Sequence, residues 1–400
     1  MTYLAIMSVC FIINLPGIAI APMEGRLKEI LHAPELEVQL LTTLPNFVII
    51  PFVLLTGKLS QSRHKETWIV GSLILYLACA IGYLFGNSTT WIIVVSCLLG
   101  CANGILIPFA MGFVVNTFYG KYRTRHLGVK SATSNLGVVI GSFIVGFLID
   151  GKNWHLPFIV YLASVLPLIF SFWIKDIPGL HLEESKPLYS GNATDKNKKE
   201  INMPRVWALI ANNVCFSFIA MAIIIYLPQL LQGYGWSPKM TGEITAVFFI
   251  FVLCAGFILL PFVRFFKQYT FLVMGLLLLS GLALITFIKE GWALYVGAAM
   301  GGVAFGIFQP FIYDKTSYAI TNQNKSIPAL SYVLTALYTA IAFEPFIITG
   351  ICHLFKIEDE NIFVFRLSFF MAIGYALVAF ILKKKFAFSV EKAYISEPDI

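Results

Sequence analysis

Glu344 is the only carboxylate of this sequence that falls clearly inside a long apolar segment, and Pro345 follows it. The proline removes a backbone hydrogen bond and frees a carbonyl one turn earlier. If the segment crosses a bilayer, Glu344 lies about 16 residues from its start, or roughly 24 Å along a helix. An ionisable group at that depth costs ~2.5–3.5 kcal/mol on insertion scales, so its presence demands a reason. Two reasons fit. The residue exchanges a proton or binds a coupling cation, or it stands neutral as a structural partner of a neighbouring helix.

Neutral polar residues are more numerous in such segments: Asn14, Asn46, Asn103, Asn135, Asn212, Asn213 and Gln309. Hydrogen bonds between membrane helices average ~0.6 kcal/mol and suffice to explain an Asn; contact with a ligand is the other explanation. Asp314 and Lys315 are adjacent, so they do not face each other on a helix, and a solvated helix end is the expected account. Lys130, four residues after His126, either snorkels to an interface or offers its charge to an anionic ligand. Tyr338 is an aromatic candidate for packing a ligand. Glu24 and Arg26 close the first segment, as an outer gate or as interfacial residues.

Nothing here supports covalent chemistry. The seven cysteines are odd in number and show no CxxC or Cys/His spacing for a metal, and the six histidines are scattered. No P-loop or nucleotide fingerprint appears, so neither a metal nor a cofactor is expected and the chain is not expected to be an enzyme. Nor is it expected to bind nucleic acid. Its net charge of +7 is dispersed in short clusters between apolar runs.

The elements that must hold these residues are set by composition. Apolar residues make up 58% and charged residues 12% of 400, with 36 Phe and a mean hydropathy of +0.81. Soluble domains carry roughly 25% charge, and half of that cannot clothe a chain of this size in water. A bilayer core of ~30 Å needs ~20 apolar residues per helix. On that ruler the segments fall near 3–23, 38–57, 67–86, 91–117, 127–149, 155–174, 205–231, 242–263, 269–288, 291–317, 328–352 and 363–382. The first has no basic leader and is too long for a signal sequence, so it is expected to be retained. Continuous apolarity specifies helices, because barrel strands would alternate.

With twelve spans, 21 of the 28 Lys and Arg fall on one side, which places both termini in the cytoplasm. The expected organisation is a six-helix bundle over 1–174, a cytoplasmic linker over 175–204, a second bundle over 205–383 and a tail over 384–400. An internal repeat supports the division. Residues 100–109 read GCANGILIPF and residues 302–311 read GVAFGIFQPF. Gly100, Gly104 and Pro108 thus pair with Gly302, Gly306 and Pro310. Glycines four apart let helix backbones approach closely, and the proline lets a helix bend. The segment either rocks two bundles about a central site or simply packs.

Two local patterns carry a resemblance to the major facilitator superfamily. Gly57-Lys58-Leu59-Ser60-Gln61-Ser62-Arg63-His64-Lys65 resembles that family's loop motif after the second span, with Gln61 in place of its Asp. Gly137, Gly141 and Gly146 resemble the glycines of its antiporter motif, with Ser142 in place of the Pro. Trp154 and Phe158, which open the sixth span, also look familiar, whereas the fourth span reads Ser96-Cys97-Leu98-Leu99-Gly100 where the family has Arg-x-x-Gln-Gly.

The resemblance implies an all-α integral membrane protein of twelve helices in two pseudo-symmetric six-helix bundles. It implies that the first, fourth, seventh and tenth spans line a cavity, which selects Asn14, Asn103, Asn213 and Gln309 as candidate substrate contacts. It also implies a monomeric, multi-pass protein of the cell membrane that moves a small molecule by alternating access. The antiporter-like glycines tilt the expectation towards proton-coupled export of a drug-like compound or of an endogenous metabolite such as a secreted metal chelator. Proton-coupled uptake of a sugar or organic acid is the alternative, and a non-transporting receptor or scaffold is the alternative of another class.

Overall fold

The structure is a computed structural model that describes residues 2–17, 35–62, 64–149, 153–172 and 200–391, with single positions between 18 and 34. Glu24, Arg26, the expected linker up to 199 and the tail beyond Glu391 lie outside the described residues.

Among the described residues, twelve helices follow the apolar segments: α1 (Thr2–Ile12), α2 (Glu35–Leu59), α3 (Lys65–Phe85), α4 (Thr89–Thr117), α5 (Gly120–Leu148), α6 (Leu156–Phe170), α7 (Met203–Leu231), α8 (Pro238–Phe266), α9 (Thr270–Phe287), α10 (Gly291–Ser317), α11 (Ser326–Phe355) and α12 (Glu360–Ile381). Eight helical runs among these residues are long and apolar enough to cross a membrane. One of them, Met240–Phe287, holds both α8 and α9, parted only by a 3₁₀ turn at Lys267–Tyr269. Hydrocarbon offers no partner to a peptide group, so each segment satisfies its own backbone as a helix. Side chains close several starts: Ser88, Asn202, Ser237 and Asp359 accept from the N–H of Trp91, Arg205, Met240 and Ile362. Two elements differ from simple α-helices. The first part of α6, Leu156–Ser164, is 3₁₀, and α7 contains a π turn at Ala222–Tyr226.

The chain divides into two compact units. The first comprises Met1–Phe118, Thr133–Ile201 and Ile320–Tyr338, and the second comprises Tyr119–Ala132, Asn202–Ala319 and Thr339–Ile400. Each unit contains the same helix crossing. In the first, a Cβ on Gly100 would lie 2.8 Å from the Pro45 carbonyl oxygen of α2, and one on Gly104 would lie 2.9 Å from that of Ile49. In the second, Gly302 presses on the Phe248 carbonyl of α8, and a Cβ on Gly306 would lie 2.6 Å from that of Val252. The repeated glycines are therefore places where no side chain fits between two backbones. Helices α4 and α10 continue through the buried Pro108 and Pro310.

Helices α5 and α11 are each divided between the units. The opening turns of α5 pack on α8 in the second unit, where Gly128 and Gly256 meet backbone to backbone. The opening turns of α11 pack on α2 and α4 in the first unit, where Gly57 lies against Pro328 and Ser331 and Gly112 against Ile327. Of the antiporter-like glycines, Gly137 lies against the Phe11 carbonyl of α1 and Gly141 is buried. Gly146 has open space where its side chain would be, so the expected packing role is not seen there. All seven cysteines are free thiols.

Candidate functional site

In the first unit, polar groups converge where α1 loses its helical winding. Ile13 and Asn14 form a turn, and Leu15 is irregular before Pro16. A residue preceding proline is pushed out of the helical region, which accounts for the break. The carbonyls around it are taken up by side chains of three other helices. Tyr76 of α3 donates to Ile12 O at 3.1 Å, Asn103 Nδ2 of α4 to Ile13 O at 2.9 Å, and Tyr161 of α6 to Pro16 O at 2.5 Å. Asn14 is exposed. The Asn103 Oδ1 is buried and meets no donor among the described residues. Broken backbone survives at membrane depth only when enclosed by protein or lining a cavity. Here the donors hold the break and Asn14 is its open residue.

In the second unit, α7 and α10 share a hydrogen-bond network that joins two of the residues selected from sequence. Gln309 Nε2 donates to Ser217 Oγ at 2.9 Å and to Asn213 Oδ1 at 3.4 Å. Ser217 Oγ donates to Asn213 Oδ1 at 3.3 Å, and the Tyr313 hydroxyl to Gln309 Oε1 at 2.7 Å. Both pairs are spaced four apart on their helices, so each presents one face to the other. The stacked rings of Phe216 and Phe308, 3.8 Å between centroids, close the contact beside it.

Glu344 of α11 is fully buried, and neither carboxylate oxygen has a partner among the described residues. Tyr226, in the π turn of α7, carries a buried hydroxyl that is likewise without a partner among the described residues. A bare carboxylate in low dielectric is very costly. The site therefore calls for a proton or a bound cation whenever it is closed. Sequence reasoning missed Tyr226; nothing in the apolar run Ala222–Tyr226 announces the π turn, a device that recurs at functional sites.

A buried charge pair lies elsewhere in the second unit. Arg123 Nε contacts Asp314 Oδ1 at 2.6 Å, Thr124 Oγ1 donates to Asp314 Oδ2 at 2.5 Å, and the guanidinium lies 4.7 Å from the Tyr318 ring centre. Lys315 points elsewhere, donating to Ser389 O at 2.6 Å and pairing with Glu391 at 3.8 Å. Asp314 and Lys315 are both fully buried, which corrects the expected solvated helix end. The segment following α12 folds back onto α10 and supplies the cover. Lys130 is also buried, at 5% exposure. Two positions earlier, the Gly128–Gly256 contact draws this stretch of α5 tightly onto α8. Tyr338 is half-buried.

The loop motif after α2 is tied, within the first unit, to the turn that precedes α11. Gln61 Nε2 donates to Asn324 O at 2.8 Å and its Oε1 accepts from Lys325 at 3.3 Å. The carboxylate on Lys325 comes from Glu200, at 3.3 Å.

The twelve-helix frame agrees with what comparison shows. A family model described as Major Facilitator Superfamily matches residues 2–343. The chain belongs to the major facilitator superfamily. It is accordingly a multi-pass membrane transporter of small molecules and not an enzyme. It is 22% identical over 351 residues to the tetracycline resistance protein, class C, of Escherichia coli, covering 82% of this chain and 86% of that one. It is 22% identical over 276 residues to the quinolone resistance protein NorA of Staphylococcus aureus (strain COL), covering 67% and 68%. The multidrug transporter protein MdtP of Bacillus subtilis (strain 168) is 32% identical over 117 residues, which span 29% of this chain and only 22% of MdtP. The fold matches a proton:xylose symporter, XylE, with a TM-score of 0.71 at 13% identity, covering 96% and 95% of the two chains. It also matches the human organic anion transporter MFSD10, with a TM-score of 0.70 at 13% identity over 93% and 97%.

Proposed function

We propose that this protein is a secondary active exporter of the cell membrane, driving a small amphipathic organic molecule outward against an inward flow of protons. Its termini are cytoplasmic and it works as a monomer by alternating access. The observation that carries the reading is Glu344, a buried carboxyl group with no protein partner among the described residues. Such a group is well suited to taking up a proton in one state of the cycle and releasing it in another. The relatives support the direction, since those compared are named for resistance to tetracycline and quinolones or for multidrug transport.

Cargo contact falls to Asn14 at the open break of α1, to Asn103 beside it, to Gln309 and Asn213 in the α7–α10 network, and to Tyr338. Lys130, being buried, supports the packing of α5. The repeated glycines and prolines supply the crossings about which the helices move. A drug-like cargo is favoured over an endogenous chelator because the residues named are neutral amides and a phenol, without the cationic groups that an anionic chelator would require.

The test uses inside-out membrane vesicles with an acidified lumen. Tetracycline and a quinolone should accumulate in vesicles containing the wild-type protein, and collapse of the pH gradient should abolish accumulation. Glu344→Gln should lose gradient-driven accumulation but retain exchange of labelled for unlabelled cargo. Accumulation that ignores the gradient, or a Glu344→Gln protein that behaves as wild type, would defeat the reading. Comparison of metabolites in cells with and without the protein separates a drug from an endogenous cargo.

A further inference from the structure

One cavity of the second unit has no part in the transport reading. A cleft of ≈ 750 Å³ runs between α7 and α12. That volume lies within the roughly 300–1,000 Å³ range of small-ligand pockets. Its walls along the helices are apolar and small: Ala211 and Cys215 on α7, Gly374 and Val378 on α12. All four are exposed. The outer face of α12 beside them bears exposed Phe370, Leu377, Phe380 and Ile381, a surface made for hydrocarbon. Only one end of the cleft is charged, and there both residues are basic. Arg205 enters from the first turn of α7 and Lys385 from the segment after α12.

We propose that this cleft binds an anionic phospholipid, with an acyl chain along the Ala211–Gly374 wall and the phosphate between Arg205 and Lys385. Charge complementarity decides the occupant. An apolar slot ending in two cations matches a molecule with a hydrocarbon body and one anionic end. Two contacts hold Arg205 in place at this mouth. Its guanidinium rests 4.7 Å from the Phe386 ring centre, and Nη1 donates to Tyr318 O at 3.4 Å. A guanidinium carries five N–H donors, so this anchoring leaves others to face a phosphate. Exposed Trp207, two residues further along α7, marks the headgroup depth at which Trp collects in membranes. Basic pockets between helices at such a depth are suited to anionic headgroups.

The test measures lipid retention by the full-length protein in nanodiscs of equal phosphatidylglycerol and phosphatidylcholine, read by native mass spectrometry. Phosphatidylglycerol should be retained in preference, and the preference should fall roughly five-fold for each charge removed in Arg205→Gln and Lys385→Gln. Gly374→Leu should reduce retention of both lipids, because a Cβ there has no protein atom within 4 Å and the side chain would occupy the cleft. Lys385 is exposed, so Lys385→Gln and Gly374→Leu keep the test decisive even if Arg205→Gln misfolds. Equal retention of the two lipids overturns the proposal, as does a preference unchanged in Lys385→Gln. Displacement of phosphatidylglycerol by tetracycline would assign the cleft to cargo. Tighter lipid binding after truncation beyond Glu391 would assign it to the chain's own tail. Either result also overturns it.

Discussion

Arg123 and Asp314 meet at 2.6 Å with both side chains withdrawn from solvent. They come from distant stretches of sequence, α5 and α10, and Thr124 occupies the second carboxylate oxygen. Breaking a buried pair by removing one partner costs roughly 3–5 kcal/mol, because the remaining charge is stranded. Asp314→Asn and Arg123→Gln should each lower the thermal midpoint of the purified protein markedly. The double variant should recover much of the loss, and a double-mutant cycle on the midpoints measures the coupling. Strictly additive losses would show that the two side chains do not act as a pair.

Glu344→Gln should leave thermal stability almost unchanged, since the side chain holds no partner that the amide would lose. Tyr226→Phe should be similarly mild. A role in coupling therefore predicts a separation: gradient-driven transport falls while the unfolding midpoint stays. A midpoint that drops in step with transport in Glu344→Gln would instead identify a structural acid.

Gly306→Ala should destabilise the protein by about 1–3 kcal/mol, because the new methyl would sit 2.6 Å from the Val252 carbonyl and α8 and α10 would have to part. Gly350→Ala, where nothing lies within 4 Å, is the control. It should be neutral or stabilising by up to roughly 1 kcal/mol through helix propensity. Folded yield and melting in detergent distinguish the two.

Gln309→Leu should raise the concentration of cargo needed for half-maximal transport and also lower stability by about 1–3 kcal/mol, since it removes the donor to Ser217 Oγ and the acceptor of the Tyr313 hydroxyl. Asn14→Ala should affect cargo alone, because Asn14 is exposed at the helix break. Transport kinetics and melting of the two variants, taken together, separate contact with cargo from support of the frame.

Lys315→Met should release the segment after α12. Lys315 holds the Ser389 carbonyl at 2.6 Å and lies beneath the Phe386 ring, and Asn212 holds the Ala387 carbonyl at 2.8 Å. Limited proteolysis should cut near 386–391 faster in the variant, while the helical core persists.

Much of the frame was legible because a bilayer allows few solutions. Apolar length located the twelve helices, and the glycine–proline repeat located the crossing that both units share. Asn213 and Gln309 could be paired in advance only through family resemblance; their actual contact needed Ser217 and Tyr313, whose four-residue spacing was visible but unexceptional. Asp314 and Lys315 were misjudged because adjacency on a helix says nothing about what a returning segment will cover. The burial of Lys130 was not legible because the glycine pair beside it, Gly128 with Gly256, lies in two helices far apart in sequence. Tyr226 was missed because an extra residue in a helical turn leaves no mark on composition.

The two copies of the helix crossing have a consequence for how the halves of the chain can be exchanged. The position 202 residues before Glu344 is Ser142, and no carboxylate stands beside it in α5. A tandem gene fusing two copies of the first half would keep the glycine contacts that seat α4 on α2. Among the described residues of that half it would own no buried acid. The glycine crossing is common to both units, whereas the buried acid Glu344 belongs to one of them alone.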